Sequence, residues 1–232
     1  MPRDQYLSKK VVIMEQYTNQ LTDALLSGDQ DKAWEIIYGQ HRHSANTLEI
    51  FEKLITKSMQ RVGELWQNDD ISVADEHLAT TTCDFVLSRY RHQVSREVQP
   101  KKGRKAMFFC LENEQHFLGL KMAAIIFEEK GWETRLLGPN VPLEKGKESA
   151  EEWQPDVIGL SFTMINHAEK LSIYVKELES IKHSPAVFVG GRLLKYYDFT
   201  SHCSIKTTLL KELIDIEQWI PTLPFGEELN AR

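Results

Sequence analysis

The sequence KAMFFCLENEQHFLG, residues 105–119, indicates how the carboxyl-terminal half of the chain folds. Its apolar run, residues 106–111, predicts a short buried strand, and the polar residues that follow predict a loop. After Gly119, apolar residues recur at helical spacing. A strand that leads through a loop into a helix places the loop at the carboxyl edge of a sheet, where ligands bind in open α/β proteins.

This loop carries one imidazole, His116, with the carboxylate of Glu114 two residues before it and Gly119 three residues after it. A neutral imidazole binds a metal through one nitrogen while its other nitrogen donates a hydrogen bond to a carboxylate. A glycine lets a bulky ligand approach the backbone closely. On this short pattern alone, a surface loop with an incidental histidine is the simpler interpretation, and a metal site is the alternative.

Beyond the loop, strand-like and helical segments alternate, which predicts a doubly wound, Rossmann-like parallel sheet over residues 105–232. Right-handed crossovers bring the ends of the predicted strands 133–137, 157–161 and 186–189 to one rim. A weaker strand is predicted near residues 204–207, with a helix over residues 209–219. The candidate binding residues at the rim are Leu137, Gly138, Val141, Ser161, Thr163, Gly190 and Gly191. Taken singly, the glycines indicate only turns.

The amino-terminal half carries helical patterns only. Four amphipathic segments with short connections predict an antiparallel four-helix bundle over residues 1–98. The breaks fall at residues 27–29, near residues 43–46, and at residues 68–70. A polar stretch with Pro100 and Gly103, residues 99–104, is the predicted linker. The overall fold class is therefore α followed by α/β.

A second set of candidate residues lies between the third and fourth predicted helices. Trp66 is separated by nine residues from the pair Glu76 and His77. The simpler interpretation of Trp66 is a core aromatic at the end of a helix stripe. For His77 it is a satisfied histidine near the start of a helix. Glu76, an acid early in a helix, is either exposed or functional.

The composition excludes several classes of protein. The chain has 232 residues, 41% hydrophobic residues and a net charge of −6 without a basic stripe, so direct nucleic-acid binding is not expected. Its three widely spaced cysteines form no C-x-x-C pair and predict neither a disulfide framework nor a zinc site. No secretory signal is recognised, and no apolar run approaches the ~20 residues that span a membrane. A cytoplasmic protein is expected.

The rim motifs together resemble those of cobalamin (B12)-binding domains, in which Asp-x-His-x-x-Gly, Ser-x-Leu and Gly-Gly follow successive strands. Here Glu114 stands at the Asp position and Thr163 at the Leu position. The resemblance implies that His116 replaces the nucleotide base as lower axial ligand of cobalt. It also implies that the base is held beside Ser161 and the paired glycines, and that Gln115, Phe117 and residues 137–141 border the corrin.

The helical half is similar to the cap of CarH-type adenosylcobalamin photoreceptors. This resemblance implies that Trp66 packs on the adenosyl group and that Glu76 and His77 line the same cap. Adenosylcobalamin is the expected form, with methylcobalamin as the alternative. Gln67 stands where those regulators often carry a histidine that takes cobalt after illumination. Because the chain starts at the bundle, the helix-turn-helix DNA-binding domain of those regulators is not expected.

The function that these resemblances imply is a light-responsive cobalamin sensor or regulator, and not an enzyme. Such a protein would hold adenosylcobalamin between bundle and sheet domain and would signal through a protein partner or a change of homo-oligomer. The alternative is a corrinoid carrier protein of a methyltransferase system, which shares the same layout. A mutase subunit is the least favoured alternative, because such enzymes need a separate substrate barrel.

Overall fold

The computed structural model describes residues 3–42, 46–98 and 103–224, and the chain divides into two compact units, Met1–Gln93 and Val94–Arg232. The first unit is helical throughout its described residues, and the second contains a five-stranded parallel sheet with helices. The predicted fold class, a helical region followed by a Rossmann-like domain, is confirmed.

Within its described residues, the helical unit has five α-helical segments in the order that the sequence predicts, and two of them belong to one continuous helix. Their bounds are α1 (Arg3–Leu26), α2 (Gln30–Arg42), α3 (Thr47–Glu49), α4 (Thr56–Gln67) and α5 (Val73–Glu97). A π-helical segment, Ile50–Ile55, joins α3 to α4. The residues at both junctions keep right-handed helical backbone angles, so residues 47–67 form one continuous helix.

Local hydrogen bonds explain where these helices begin and end. Gly28, with φ of 72°, follows α1 in the left-handed conformation that glycine adopts without strain. Asp29 Oδ1 accepts a hydrogen bond of 2.9 Å from Lys32 N at the start of α2. Asn46 Oδ1 accepts one of 2.8 Å from Glu49 N at the start of α3. Each side-chain oxygen satisfies a backbone N–H group that has no partner within its helix.

Tyr90 connects three of these helices in the core of the helical unit. It is fully buried on α5, and its hydroxyl lies 2.6 Å from Thr47 Oγ1 and 3.0 Å from His41 Nδ1. Its ring also packs edge-on against Phe51, at 5.4 Å between centroids. A buried tyrosine hydroxyl needs such partners, and these contacts fix α5 against the helices that precede it.

The sheet of the second unit has the strand order β2-β1-β3-β4-β5, and every pair is parallel. Its strands are β1 (Lys105–Leu111), β2 (Glu133–Val141), β3 (Val157–Ser161), β4 (Ala186–Gly190) and β5 (Thr208–Leu210). The chain moves from β1 to β2 on one side and then crosses to β3 on the other. The direction of winding therefore reverses between β1 and β3, and open α/β sheets bind ligands at such a switch point.

Helices cover both faces of the sheet. They are α6 (Leu118–Glu129), α7 (Leu143–Trp153), α8 (Ala168–Glu179) and α9 (Leu213–Trp219). Successive strand side chains point to opposite faces, so Phe108 packs on Phe127 of α6 at 5.2 Å, while Phe109 packs near Tyr174 of α8 at 6.4 Å between centroids. Gly146 lets α7 approach closely, since a Cβ there would lie 2.8 Å from the Phe109 ring. This two-sided burial explains the apolar character of β1.

One prediction about the rim was wrong. Leu137 was expected at the end of the second strand, and Gly138 and Val141 in the loop after it, but all three lie within β2, because the strand continues to Val141. The pairing with β1 shifts register twice, and these irregularities accommodate the positive φ angles of Gly138 (89°) and Asn140 (55°). The Gly-Pro pair, which usually indicates a turn, is therefore part of a bulged strand.

Two other boundaries also differ from the sequence-based expectation. Residues 204–207 form a turn, in which Ser204 N donates to Thr207 Oγ1 at 3.2 Å, and the last strand begins at Thr208. Helix α6, which the apolar spacing predicts over residues 116–130, begins at Leu118. That later start keeps His116 in the loop.

None of the helices in the described part of the chain has both the length and the apolar character needed to cross a membrane.

Candidate functional site

The loop after β1 places a buried carboxylate beside an exposed imidazole. The Glu114 side chain has no exposed surface, whereas the His116 side chain is 58% exposed. Glu114 Oε1 accepts a hydrogen bond of 2.9 Å from the backbone N of His116 and lies 2.6 Å from His116 Nδ1. One oxygen therefore holds both the backbone and the ring of the histidine.

The second oxygen of Glu114 is held from the neighbouring strand. Thr163 follows β3, which pairs with β1, so the two loops meet at the switch point. Thr163 donates to Glu114 Oε2 from its backbone N at 2.6 Å and from its hydroxyl at 3.0 Å. Its Oγ1 also lies 2.8 Å from His116 Nδ1. The structure thus brings Glu114, His116 and Thr163 into one hydrogen-bond network.

Strand β2 holds the same loop from the other side. The backbone N of Asn140 donates to the carbonyl oxygen of Glu114 at 2.9 Å. The Asn140 side-chain oxygen accepts from the backbone N of Asn113 at 2.8 Å. Asn113 and Asn140 both have positive φ, 68° and 55°, which asparagine tolerates better than most residues. The end of β2 therefore fixes the backbone that carries Glu114.

The charge of Glu114 determines which nitrogen of His116 is available. Burial raises the pKa of Glu114, but hydrogen bonds from the side chain and backbone of His116 and from Thr163 outweigh it and lower the pKa to about 2. The ionised carboxylate only accepts hydrogen bonds, so His116 Nδ1 carries the hydrogen. Nε2 then has the free lone pair that a metal ligand needs.

The cysteine next to this network is not available as a second ligand. Cys110 is fully buried, and burial, followed by the negative charge of Glu114, raises the pKa of its thiol to about 12. The thiol therefore stays protonated, and only a thiolate binds metals well. Its Sγ lies 3.7 Å from the carbonyl oxygen of His116, to which it donates.

The loop after β1 offers few protein ligands, so it suits a metal ion whose other ligands come from a cofactor. Within residues 3–42, 46–98 and 103–224, no three side chains of His, Cys, Asp or Glu are grouped to hold a bare ion. The loop offers one imidazole, which matches a cobalt ion whose equatorial positions are filled by a corrin ring. The residues present therefore fit cobalamin, and His116 is the side chain that would hold it.

Open space surrounds the loop. No heavy atom lies within 4 Å of the position that a Cβ would take at Gly119, in the first turn of α6, or at Gly138 in β2. Gln115 is exposed, and Phe117 is half-buried as the residue that caps α6. Leu137 and Val141 pack partly buried against the core.

The paired glycines at the end of β4, Gly190 and Gly191, differ in what they do for the fold. Ser161, which is almost buried, pairs in register with Gly190 at the end of β4. A Cβ at Gly191 would lie 2.1 Å from the carbonyl oxygen of Phe162, and its φ is 146°, so the fold itself requires a glycine there. A Cβ at Gly190 would meet only two carbonyl oxygens at about 4 Å. Gly190 is thus the glycine that leaves room for a ligand.

The helical unit carries the second set of predicted residues. Trp66 lies in the last turn of α4 and is 46% exposed, so its interpretation as a core aromatic is wrong. Ser72 and Asp75 cap α5 reciprocally, with Asp75 Oδ2 accepting from Ser72 N at 2.9 Å and from Ser72 Oγ at 2.7 Å. These bonds lower the pKa of Asp75. The cap places Glu76 and His77 in the first turn of α5.

Glu76 and His77 form a pair on the surface of α5. Glu76 Oε2 lies 2.6 Å from His77 Nδ1, and Glu76 Oε1 accepts from Thr80 Oγ1 at 2.9 Å. The His77 side chain is 74% exposed. The five-residue connection 68–72 is short, so the end of α4 and the start of α5 lie at one end of the helical unit. Trp66, Glu76 and His77 therefore share that end.

Two residues that lie close to Glu114, Asn140 and His167, were not among the predicted site residues. Asn140 follows a Gly-Pro pair in a segment that was expected to be a turn. His167 lies six residues after Ser161, and its Nδ1 is 3.9 Å from Glu114 Oε2. Two features of the sequence could have indicated them. Asn140 is a residue type that tolerates positive φ, and His167 lies in the segment directly after a buried strand.

Two family models match the chain, and both are described as a B12 binding domain. One matches residues 104–202 and the other residues 17–90, which together make up about three quarters of the chain. The chain belongs to the B12-binding proteins. Cobalamin is its cofactor, and the predicted resemblance to cobalamin-binding domains is confirmed.

The relatives of this B12-binding protein fall into two groups. It is 28% identical to the HTH-type transcriptional repressor CarH of Myxococcus xanthus over 145 residues, 62% of this chain and 47% of the repressor. It is 22% identical to dimethylamine corrinoid protein 2 of Methanosarcina acetivorans over 179 residues, 76% of this chain and 82% of that protein. The chain therefore spans less than half the length of the repressor.

A solved structure supports the fold. The Methanosarcina barkeri monomethylamine corrinoid protein matches with a TM-score of 0.71 at 15% identity, over 90% of this chain and 99% of that one. At this identity the likeness concerns the fold alone. It agrees with a helical region followed by a parallel-sheet domain.

Proposed function

We propose that this B12-binding protein is a sensor that holds adenosylcobalamin and responds to light. In this proposal His116 would hold the cobalt of the cofactor, and Glu114 and Thr163 would orient the imidazole of His116. Trp66, Glu76 and His77 are the residues of the helical unit that would contact the adenosyl group. When bound, adenosylcobalamin supplies a light-sensitive cobalt–carbon bond.

The observation that carries this proposal is the exposure of Trp66 at the end of the helical unit that also carries the Glu76–His77 pair. A tryptophan that is 46% exposed at the end of a helix leaves a large apolar surface without cover. Covering roughly 80 Å² of such a ring, at about 25 cal/mol per Å², contributes about 2 kcal/mol. A ligand with an adenosyl group offers this cover, and the same ligand without it does not.

A light-driven change of conformation requires such a difference between the two forms of the ligand. A ligand shifts a conformational equilibrium only by as much as its two forms differ in affinity for the two states. About 2 kcal/mol corresponds to a shift of roughly 30-fold in the ratio of those states. Loss of the contact at Trp66 would therefore change the helical unit. A protein partner or a change of homo-oligomer in the cytoplasm would carry the signal onward.

A second candidate is a corrinoid carrier that passes methyl groups between partner methyltransferases. The chain is similar to a dimethylamine corrinoid protein over 82% of that protein, which supports this candidate. The network around His116 serves either function equally. The two candidates differ in what the helical unit does, and there Trp66 supports the sensor.

Illumination of the loaded protein separates the two candidates. The protein is loaded in the dark with adenosylcobalamin or, as a control, with methylcobalamin. Its mass and hydrodynamic radius are then measured by size exclusion with light scattering before and after green light. The sensor predicts that light changes the mass or radius of the adenosylcobalamin form. An unchanged mass and radius, together with turnover of methylcobalamin by a methyltransferase, would establish the carrier.

A further inference from the structure

A glycine, Gly63, lies inside helix α4, Thr56–Gln67. It follows Val62, which is fully buried in the core, and precedes Glu64, which is exposed. A glycine inside a helix is less favourable than an alanine, because its backbone loses more conformational freedom on folding. The stability of α4 therefore gives no reason for a glycine at this position.

Packing within the helical unit gives no reason for Gly63 either. Apart from the backbone of its own helix, no heavy atom of the described residues lies within 4 Å of the position that a Cβ would take there. Gly28 of the same unit is different, because its φ is 72° and a Cβ would lie 3.2 Å from Leu78 Cδ1. A methyl group at residue 63 would thus fit the helical unit without strain.

Gly63 and Trp66 lie on one face of α4. Residues three apart in an α-helix are neighbours on its surface, and helical side chains lean toward the amino terminus. Trp66 therefore leans toward the turn that contains Gly63. Its side chain is 46% exposed, yet none of its atoms lies within 4 Å of the Cβ position at Gly63. Bare helix backbone and an exposed indole ring thus border the same strip of surface.

We propose that Gly63 is a specificity-determining residue that makes room for the adenine of adenosylcobalamin beside Trp66. A flat base stacks on an aromatic ring, and a glycine lets a ligand approach the helix backbone closely. Methylcobalamin and hydroxocobalamin have no base as upper ligand, so the space at Gly63 does not strengthen their binding. This inference rests on the proposed contact between the helical unit and the adenosyl group.

Two matched alanine variants test the role of Gly63. Gly63→Ala adds one methyl group to the strip beside Trp66. Gly39→Ala is the control, because Gly39 lies inside α2 of the same unit, is also half-buried, and has no heavy atom of the described residues within 4 Å of its Cβ position apart from its own helix backbone.

Thermal unfolding of the cobalamin-free proteins comes first. Both alanine variants should raise the melting temperature by roughly 1–5 °C, because alanine is the better helix former. A melting temperature of Gly63→Ala below that of the wild type would show that the fold needs this glycine, and it would contradict the proposal.

The Kd values for adenosylcobalamin, methylcobalamin and hydroxocobalamin are then measured in the dark by isothermal titration calorimetry. Gly63→Ala should weaken the binding of adenosylcobalamin roughly 10- to 200-fold, the usual effect of one extra carbon in a fitted pocket. It should leave the other two Kd values almost unchanged. Gly39→Ala should match the wild type with all three cobalamins.

Trp66→Ala, measured in parallel, separates a failure of this inference from a failure of the proposed function. Equal Kd values in Gly63→Ala and Gly39→Ala, with a reduced preference for adenosylcobalamin in Trp66→Ala, would overturn only the role of Gly63. An unchanged preference in all three variants would overturn the contact at Trp66 as well. An equal loss of affinity for all three cobalamins in Gly63→Ala would assign Gly63 to the corrin ring and would also overturn the proposal.

Discussion

Glu114 Oε1 lies 2.6 Å from His116 Nδ1, and the same oxygen accepts the backbone N–H of His116 at 2.9 Å. The carboxylate is fully buried and the imidazole is mostly exposed. This relationship fixes the tautomer of His116 and leaves Nε2 as the atom that can bind a metal. It turns a solvent-facing histidine into a ligand with a defined orientation.

Replacement of Glu114 by Gln should disrupt this relationship. The amide offers one acceptor oxygen in place of two, so its NH₂ group faces either the N–H groups of His116 or the N–H and O–H groups of Thr163. Leaving buried groups unpaired should lower the free energy of unfolding of the cobalamin-free protein by about 1–3 kcal/mol. Cobalamin binding should weaken roughly 10- to 100-fold.

Urea unfolding and titration with hydroxocobalamin measure these two effects. Glu112→Gln is the matched control, because Glu112 lies in the same loop, is half-exposed and pairs with Lys170 at 3.0 Å. Equal behaviour of the two Gln variants would contradict the role given to Glu114.

The hydroxyl group of Thr163 should contribute to the stability of the fold and to cobalamin binding. Thr163→Val keeps the shape and the backbone N–H but removes the hydroxyl contacts to Glu114 and His116. It should lower the free energy of unfolding by about 1 kcal/mol and weaken cobalamin binding, whereas Thr163→Ser should lower neither by as much. The pair is compared by urea unfolding and by titration. A Ser variant as impaired as the Val variant would show that the methyl group, and not the hydroxyl, is what matters.

The two glycines after β4 should respond differently to the same change. Gly191→Ala places a Cβ against the carbonyl oxygen of Phe162 and at a strained φ, so it should destabilise the cobalamin-free fold by several kcal/mol. Gly190→Ala meets no atom closer than 3.9 Å and should leave the melting temperature almost unchanged. It should nevertheless weaken cobalamin binding, because it fills space left for the ligand. Normal binding by a folded Gly190→Ala protein would remove Gly190 from the site.

Trp66 should contribute to ligand choice and little to the fold. Because its ring is already 46% exposed, Trp66→Ala should change the free energy of unfolding by less than about 1 kcal/mol. It should reduce the preference for adenosylcobalamin over methylcobalamin by roughly 10-fold or more, in line with the area estimate above. Phe85→Ala, also about half exposed in the same unit, is the control and should leave the preference unchanged. Equal ratios of Kd in all three proteins would argue against a cap at Trp66.

The sequence predicted those features that depend on local pattern. The apolar run before Glu114 predicted β1, and the return of helical spacing at Leu120 predicted α6, so the position of His116 at the sheet edge followed. The end of β2 could not be predicted, because Gly138 resembles a turn residue and only pairing with β1 shows the bulge. The exposure of Trp66 could not be predicted either, because a row of apolar residues along a helix does not show where the core ends.

The contacts of Asn140 and His167 depend on tertiary structure. Asn140 approaches Glu114 because β2 pairs with β1, and His167 approaches it because β3 lies on the other side. Neither distance is encoded in spacing along the chain. Thr163 lay between these cases, since its place after β3 was predictable and its hydrogen bonds to Glu114 were not.

Electron paramagnetic resonance of the protein loaded with cobalamin in the Co(II) state tests most directly whether His116 binds cobalt. The protein is labelled with ¹⁵N-histidine and the cobalamin is left unlabelled. Ligation by His116 predicts that the axial nitrogen splits each cobalt line into a doublet, which His116→Ala abolishes and His202→Ala retains. A triplet, which comes from the ¹⁴N of the cofactor's own base, in the labelled wild-type protein would contradict the account.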